Sequence, residues 1–171
     1  VLVDDLLDVT RIESGQIHYR IEELDISQVV EEVVERYADH LKAEGISLTC
    51  STFGHAIVKG DRYRLEQVIV NILTNAAKYG EKKPIEVKVE DEDPNIRIDV
   101  IDDGIGIPSD KLEKVFERYE RAVSPKNISG LGLGLYISRE IISAHQGIIK
   151  VKSNEKSGTT FSIILPKAFK H

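Results

Sequence analysis

The sequence predicts an α/β fold, a two-layer α/β sandwich with a mixed sheet of about five strands under three helices. Three observations predict it. Apolar stripes with a three-to-four period cover 27–43 and 61–79, and a helical pattern covers 132–145. Apolar residues recur over short strand-length runs at 46–52, 85–89, 96–101, 148–153 and 159–165. The last four runs form two pairs, each joined by a turn-rich segment, which reads as two hairpins.

A chain of 171 residues suits one domain with a short appendage. A hydrophobic fraction of 41% and a charged fraction of 30% are ordinary for a globular chain. The net charge of −6 argues against non-specific nucleic-acid binding. Cys50 is the single cysteine, which excludes an internal disulfide and a Cys-based metal site and fits a reducing compartment. No run of about 18 apolar residues is present, so no membrane contact is expected of this chain. It begins at Val1 without Met or a signal peptide and reads as a fragment of something longer.

Along the chain, Leu2, Leu6 and Val9 recur at helical spacing with Asp4, Asp5 and Asp8 between them. Ser14-Gly15 is a helix stop. Such a short helix is marginal alone. Its stripe must therefore pack on something: either on this domain or, the preferred reading, on a missing bundle partner, with residues 1–13 projecting as the end of a longer helix and 1–15 a unit apart from 16–171. Ile17, Tyr19 and Ile21 alternate and read as a strand. Ser27 is the expected cap of the 27–43 helix, which Gly45 ends. A strand at 46–52 and a shorter one at 56–58 follow as scaffold. Asp61 caps the next helix and Gly80 stops it.

The 61–79 helix has a core stripe of Leu65, Val68, Ile69, Ile72, Leu73 and Ala76. Beside it stand Asn71, Asn75 and Lys78 at i, i+4 and i+7, which share a face. Asn is a poor mid-helix residue, so two of them cost propensity. Amide oxygens can ligate a hard cation such as Mg²⁺, and a lysine can meet a phosphate. The 96–101 strand then runs into Asp102-Asp103-Gly104-Ile105-Gly106. That puts a carboxylate at a strand tip beside backbone bare of side chains. Ser109 caps an expected short helix to Phe116, and 117–130 is a long polar loop with no period. In Gly130-Leu131-Gly132-Leu133-Gly134-Leu135, three alternate glycines lead into a helix, whose N–H groups form a phosphate cradle. No Gly-Lys-Ser/Thr follows, and no strand precedes, so neither a Walker nor a Rossmann reading applies.

Four blocks thus stand in a fixed order: 71–79, 102–108, 115–119 and 130–135. They closely resemble the N, G1, F and G2 boxes of two-component sensor histidine kinases, in the GHKL ATPase superfamily with its Bergerat ATP-binding fold. Residues 6–15 resemble the end of that family's second dimerisation helix, and Gly158-Thr159-Thr160-Phe161 with Leu165-Pro166 its closing strand. The resemblance covers nearly the whole chain.

The resemblance implies a protein-histidine kinase that uses ATP and Mg²⁺. Asp102 would accept from the adenine amino group. Ile107, Tyr79 and Leu135 would flank the ring, and Gly104 and Gly106 would give it room. Asn75, helped by Asn71, would hold Mg²⁺ against the phosphates, and Lys78 would pair with phosphate oxygens. Gly130, Leu131, Gly132, Leu133 and Gly134, with the loop before them, would form a mobile lid, in which Arg121 would reach the γ-phosphate. Its partners would be the dimerisation and His-phosphotransfer domain of the same protein and a response regulator. The full-length protein would be a homodimer, with this part in the cytoplasm.

Departures also show. The family's acceptor His precedes an acidic residue, whereas His18, His40, His55 and His145 precede Tyr, Leu, Ala and Gln, and His171 ends the chain. The acceptor is therefore expected outside it. Leu131 stands where Thr or Ser is commoner. The related ATP-hydrolysing members place Glu where Asn71 stands, and an amide cannot take a proton from water. Hydrolysis and non-catalytic nucleotide binding remain the alternatives to transfer.

Overall fold

The computed structural model describes residues 2–120 and 132–168. In chain order it has α1 (Leu2–Glu13), β1 (Glu22–Asp25), α2 (Ile26–Ala43), β2 (Leu48–Thr52), β3 (Ile57–Gly60) and α3 (Arg62–Tyr79). Then come β4 (Ile85–Glu92), β5 (Asn95–Asp102), α4 (Gly134–Ala144), β6 (Ile148–Asn154) and β7 (Gly158–Pro166). The main sheet has five strands in the order β2-β4-β5-β7-β6. It is mixed because β2 runs parallel to β4 and every other pair is antiparallel. β1 and β3 make a separate two-stranded ribbon. A bridge from Val58 to Lys167 ties that ribbon to the end of β7.

Strand alternation sorts the two faces. Ile85, Val87 and Val89 on β4, Ile96, Ile98 and Val100 on β5, and Phe161, Ile163 and Leu165 on β7 are buried beneath the helices. The helices answer with Val29, Val30 and Val33, with Leu65, Ile69 and Ile72, and with Ile137 and Ile141. Each such side chain contributes roughly 1.5–3 kcal/mol on burial. The other face of the sheet carries Glu86, Lys88, Glu90 and Arg97, and it is polar. Asp99 is buried there, accepting from Arg97 Nε at 3.0 Å and Ser162 Oγ at 2.5 Å. The two-layer fold is thus the expected one.

The start of α3 is fixed from several directions. Asp61 caps it, Oδ1 accepting the Arg64 N–H at 3.1 Å. Its Oδ2 accepts the Arg20 N–H at 2.8 Å, and its own N–H donates to His145 Nε2 at 2.9 Å. The opposite end of α3 is therefore aimed consistently at the tip of β5.

Four expectations need correction. The expected strand at 17–21 is not one, since pairing of the ribbon begins only at Glu22 with Gly60. Ile17 and Tyr19 are half-buried, which produced the alternation, but Ile21 faces solvent, and Tyr19 lies edge-on to the His145 ring. The cap of α2 is Asp25, whose side chain accepts from the Ser27 N–H, and not Ser27. The expected helix at 109–116 shrinks to a 3₁₀ turn, Ser109–Lys111, with no side-chain cap. The turns beyond it are anchored by buried Val115 and Phe116, the latter edge-on to Phe161.

The fourth correction concerns α1, which does not simply project. Its C-terminal half docks on the domain: Val9 is buried and Ile12 packs on the core. The Asp8 carboxylate accepts from Arg64 Nη1 at 2.9 Å and Gln67 Nε2 at 2.7 Å. Glu13 pairs with Arg118. A buried carboxylate needs such partners, and α3 supplies both. Val3, Leu6 and Leu7, towards the other end, stay exposed.

Candidate functional site

The expected blocks converge around the C-terminal half of α3. Its last carbonyl, on Tyr79, accepts the Ile105 N–H at 3.2 Å. A Cβ on Gly104 would lie 2.0 Å from that same carbonyl oxygen, so only glycine lets the turn after β5 lie this close to the helix end. On the other side of the turn, Gly106 has a φ of +72° and a Cβ there would lie 2.1 Å from the Asn154 carbonyl oxygen. Both glycines thus allow close backbone packing on the two sides of the turn.

Asp102 sits at this junction and is 5% exposed. Its Oδ1 accepts the Gly104 N–H at 2.9 Å, and the Thr159 N–H also donates to the carboxylate. Burial pushes its pKa up; those two N–H bonds counter the rise in part, and the Asp103 charge adds to it. The net result is a carboxyl that ionises above its ordinary range. Ile107 lies close by and is nearly buried, its N–H donating to Ser153 Oγ at 2.7 Å.

Asn71 lies against the first turn of α4. Its Nδ2 donates to the Gly134 carbonyl and to Ser138 Oγ, both at 3.4 Å. Asn75 is half-buried one turn further along the same face, and Lys78 is exposed beyond it. Leu133 is buried and Leu135 packs on the core beside them. Gly132, with a φ of +72°, accepts the Tyr119 N–H through its carbonyl at 3.1 Å. The two ends of the expected lid therefore meet. Arg118 at this base also reaches over the Tyr136 ring, 5.6 Å from its centroid. Arg121, Gly130, Leu131 and most of the lid lie outside the described residues.

Among the described residues, no group of three His, Cys, Asp or Glu side chains could hold a metal ion. A divalent ion at this site would rely on amide oxygen, ligand phosphates and water, which suits Mg²⁺ carried in with a nucleotide.

Two residues were given no role in the site by the sequence reading. Thr159 is the register partner of Asp102 and is 7% exposed. Ser153 pairs with Thr159 across β6 and β7, with Oγ atoms 2.8 Å apart. The signal was parity: Thr159 shares the phase of Phe161, Ile163 and Leu165, so it is a hydroxyl in a core position.

The family model described as "Histidine kinase-, DNA gyrase B-, and HSP90-like ATPase" matches residues 60–168. Sensor protein EvgS of Escherichia coli O157:H7 is 31% identical over 172 residues, covering 96% of this chain and 14% of that protein. Sensor histidine kinase WalK of Bacillus subtilis (strain 168) is 32% identical over 171 residues, covering 96% of this chain and 28% of its own. Among solved structures, full-length ShkA in complex with AMPPNP superposes with a TM-score of 0.87 at 25% identity, over 98% of this chain and 35% of that one. The chain therefore spans well under half of the curated relatives it matches.

Proposed function

The chain belongs to the histidine kinase-, DNA gyrase B- and HSP90-like ATPase family, and on that premise we propose that it is the catalytic, ATP-binding part of a sensor histidine kinase. It passes the γ-phosphate of ATP to a histidine on a dimerisation helix outside Val1–His171, for relay to a response regulator. The relatives named above are sensor proteins, and one neighbour holds AMPPNP, an ATP analogue. The observation that carries the reading is the convergence of the Asn71–Tyr79 face, the Asp102 turn and the start of α4 in one place.

In this reading Asp102 accepts from the adenine amino group, and Ile107, Tyr79 and Leu135 flank the ring. Asn75, with Asn71 beside it, offers amide oxygen towards Mg²⁺, and Lys78 meets phosphate oxygens. When bound, Mg²⁺ neutralises phosphate charge and orients the transferring group. The resemblance assigns Arg121 and the glycine-rich 130–134 run to the phosphate side of the site. Residues 1–15 are the end of the second dimerisation helix, and 16–171 the catalytic domain. The working protein is a cytoplasmic homodimeric assembly. Hydrolysis is disfavoured by Asn71, which has no basic oxygen to deprotonate water.

The test is a Mg-ATP titration of this chain with Asn75→Ala alongside. Saturable binding that weakens at least about tenfold in the variant is expected, since an oxygen facing the metal is lost. Equal binding by both would remove Asn75 from the site.

A further inference from the structure

Ser153, near the end of β6, belongs to none of the blocks that mark the site. Its Oγ accepts the Ile107 N–H at 2.7 Å, and lies 2.8 Å from the Gly158 carbonyl oxygen and 2.8 Å from Thr159 Oγ1. A serine hydroxyl has one proton to give and two lone pairs to offer. The Gly158 carbonyl can only accept. The arrangement that satisfies every partner therefore sends the Ser153 proton to Gly158. The Ile107 N–H and the Thr159 O–H then occupy both Ser153 lone pairs. The Thr159 proton is committed, and Thr159 Oγ1 keeps only acceptor capacity. Thr159 and Asp102 are register partners, so their side chains stand together on the helix-facing side of the sheet.

We propose that Ser153 is a positioning residue for base selectivity: by holding the Thr159 proton and pinning Ile107, it keeps the wall beside Asp102 accepting and never donating. Such a wall fits a base that presents an amino group and rejects one that presents a carbonyl there. The inference rests on the nucleotide-binding reading above, and deepens it. Without Ser153 the Thr159 hydroxyl is free to turn and donate to a carbonyl.

The experiment measures the affinity of this chain for Mg-ATP and for Mg-ITP, whose base carries a carbonyl in place of the amino group. Wild type is compared with Ser153→Ala, Ser153→Cys and Ser153→Thr, with a thermal melt for each. In the Ala variant ATP binding should weaken roughly three- to tenfold, while ITP binding holds or improves, so that the ATP-to-ITP ratio falls. The Thr variant keeps a hydroxyl and should keep the wild-type ratio. If the Ala variant does not fold, Cys, a similar shape with a weak acceptor, makes the same comparison. Proportional loss of both nucleotides, with the ratio unchanged, overturns the proposal and leaves Ser153 a structural residue. A folded wild type that binds neither nucleotide overturns the nucleotide reading itself, and the proposal with it.

Discussion

At Asp102 the chemistry can be read as a pH experiment. Burial raises its pKa above the ordinary carboxylate value. The folded chain therefore keeps this proton to a higher pH than the unfolded chain does. For stability the sign is unfavourable: a penalty, absent below the unfolded value, develops as pH rises through the window up to the raised value and stays above it. For adenine binding the sign is opposite, because only the ionised carboxylate is a pure acceptor. Affinity should be full above the raised value and fall as pH falls through it. Asp102→Asn replaces one acceptor oxygen by a donor and does not titrate. It should lose roughly ten- to a hundredfold in ADP affinity near neutral pH. The gap between variant and wild type should narrow in acid, which cancels any titration of the phosphates. GTP, with a carbonyl facing Asp102, should bind poorly to wild type. Comparable ATP and GTP affinities in a titration would sink the Asp102 assignment.

At the scale of elements, the start of α2 makes a sharper case than its length suggests. Burial pushes the Asp25 carboxyl up, yet the Ala56 N–H, the His55 ring and the N–H groups of Gln28 and Ser27 outweigh it, and the net shift is downward. The stability this gives is present above the ordinary carboxylate value, and is lost as pH falls through the lowered one. Asp25→Ala should cost about 1–2 kcal/mol in a denaturant melt near neutral pH, and less in acid. Ser27→Ala should cost little or even stabilise, because Ser27 Oγ is buried without a hydrogen-bond partner among the described residues. A larger loss at Ser27 than at Asp25 would restore the cap that the sequence suggested. That case also shows what was legible. The stripes of α2, α3 and α4 and the alternation in β4, β5 and β7 were plain, because each is a local period of core residues. The cap was not, since Asp25 and Ser27 are both capping types two residues apart and only packing selects one. Ser153 and Thr159 were missed because their value lies in cross-strand register, which no local pattern displays. Asp102, which is buried, was legible as a carboxylate at a strand tip because the glycines after it marked the turn.

At the scale of the whole molecule, the proposed transfer needs an acceptor for the phosphate. α1 is bound to the domain through Asp8 with Arg64 and Gln67, and through Glu13 with Arg118. Its other half keeps Val3, Leu6 and Leu7 exposed, at 68%, 43% and 47%. α1 is thus docked at one end and offers apolar side chains to solvent at the other. Among the described histidines, two are tied into the fold. His145 is 5% exposed and both ring nitrogens are engaged, Nδ1 with the Ile141 carbonyl at 2.7 Å and Nε2 with the Asp61 N–H at 2.9 Å. His55 is held by Asp25 at 2.6 Å, and His40 Nε2 lies 3.3 Å from Glu44 Oε1; His18 and His40 are followed in sequence by Tyr and Leu, not by an acidic residue. The chain should therefore bind Mg-ATP, hydrolyse it slowly and leave no phosphate on itself. Incubation with γ-labelled ATP checks this for Val1–His171, for a version extended upstream, and for Asn75→Ala in the extended version. In the extended protein the label should appear on a histidine of the added helix and be lost in acid, because phosphohistidine is acid-labile. It should be missing from the Asn75→Ala variant. Vigorous phosphate release by Val1–His171 alone would favour the ATPase reading instead. Label on His145 would require α4 to open at its C-terminal end, and would place the acceptor inside this chain after all.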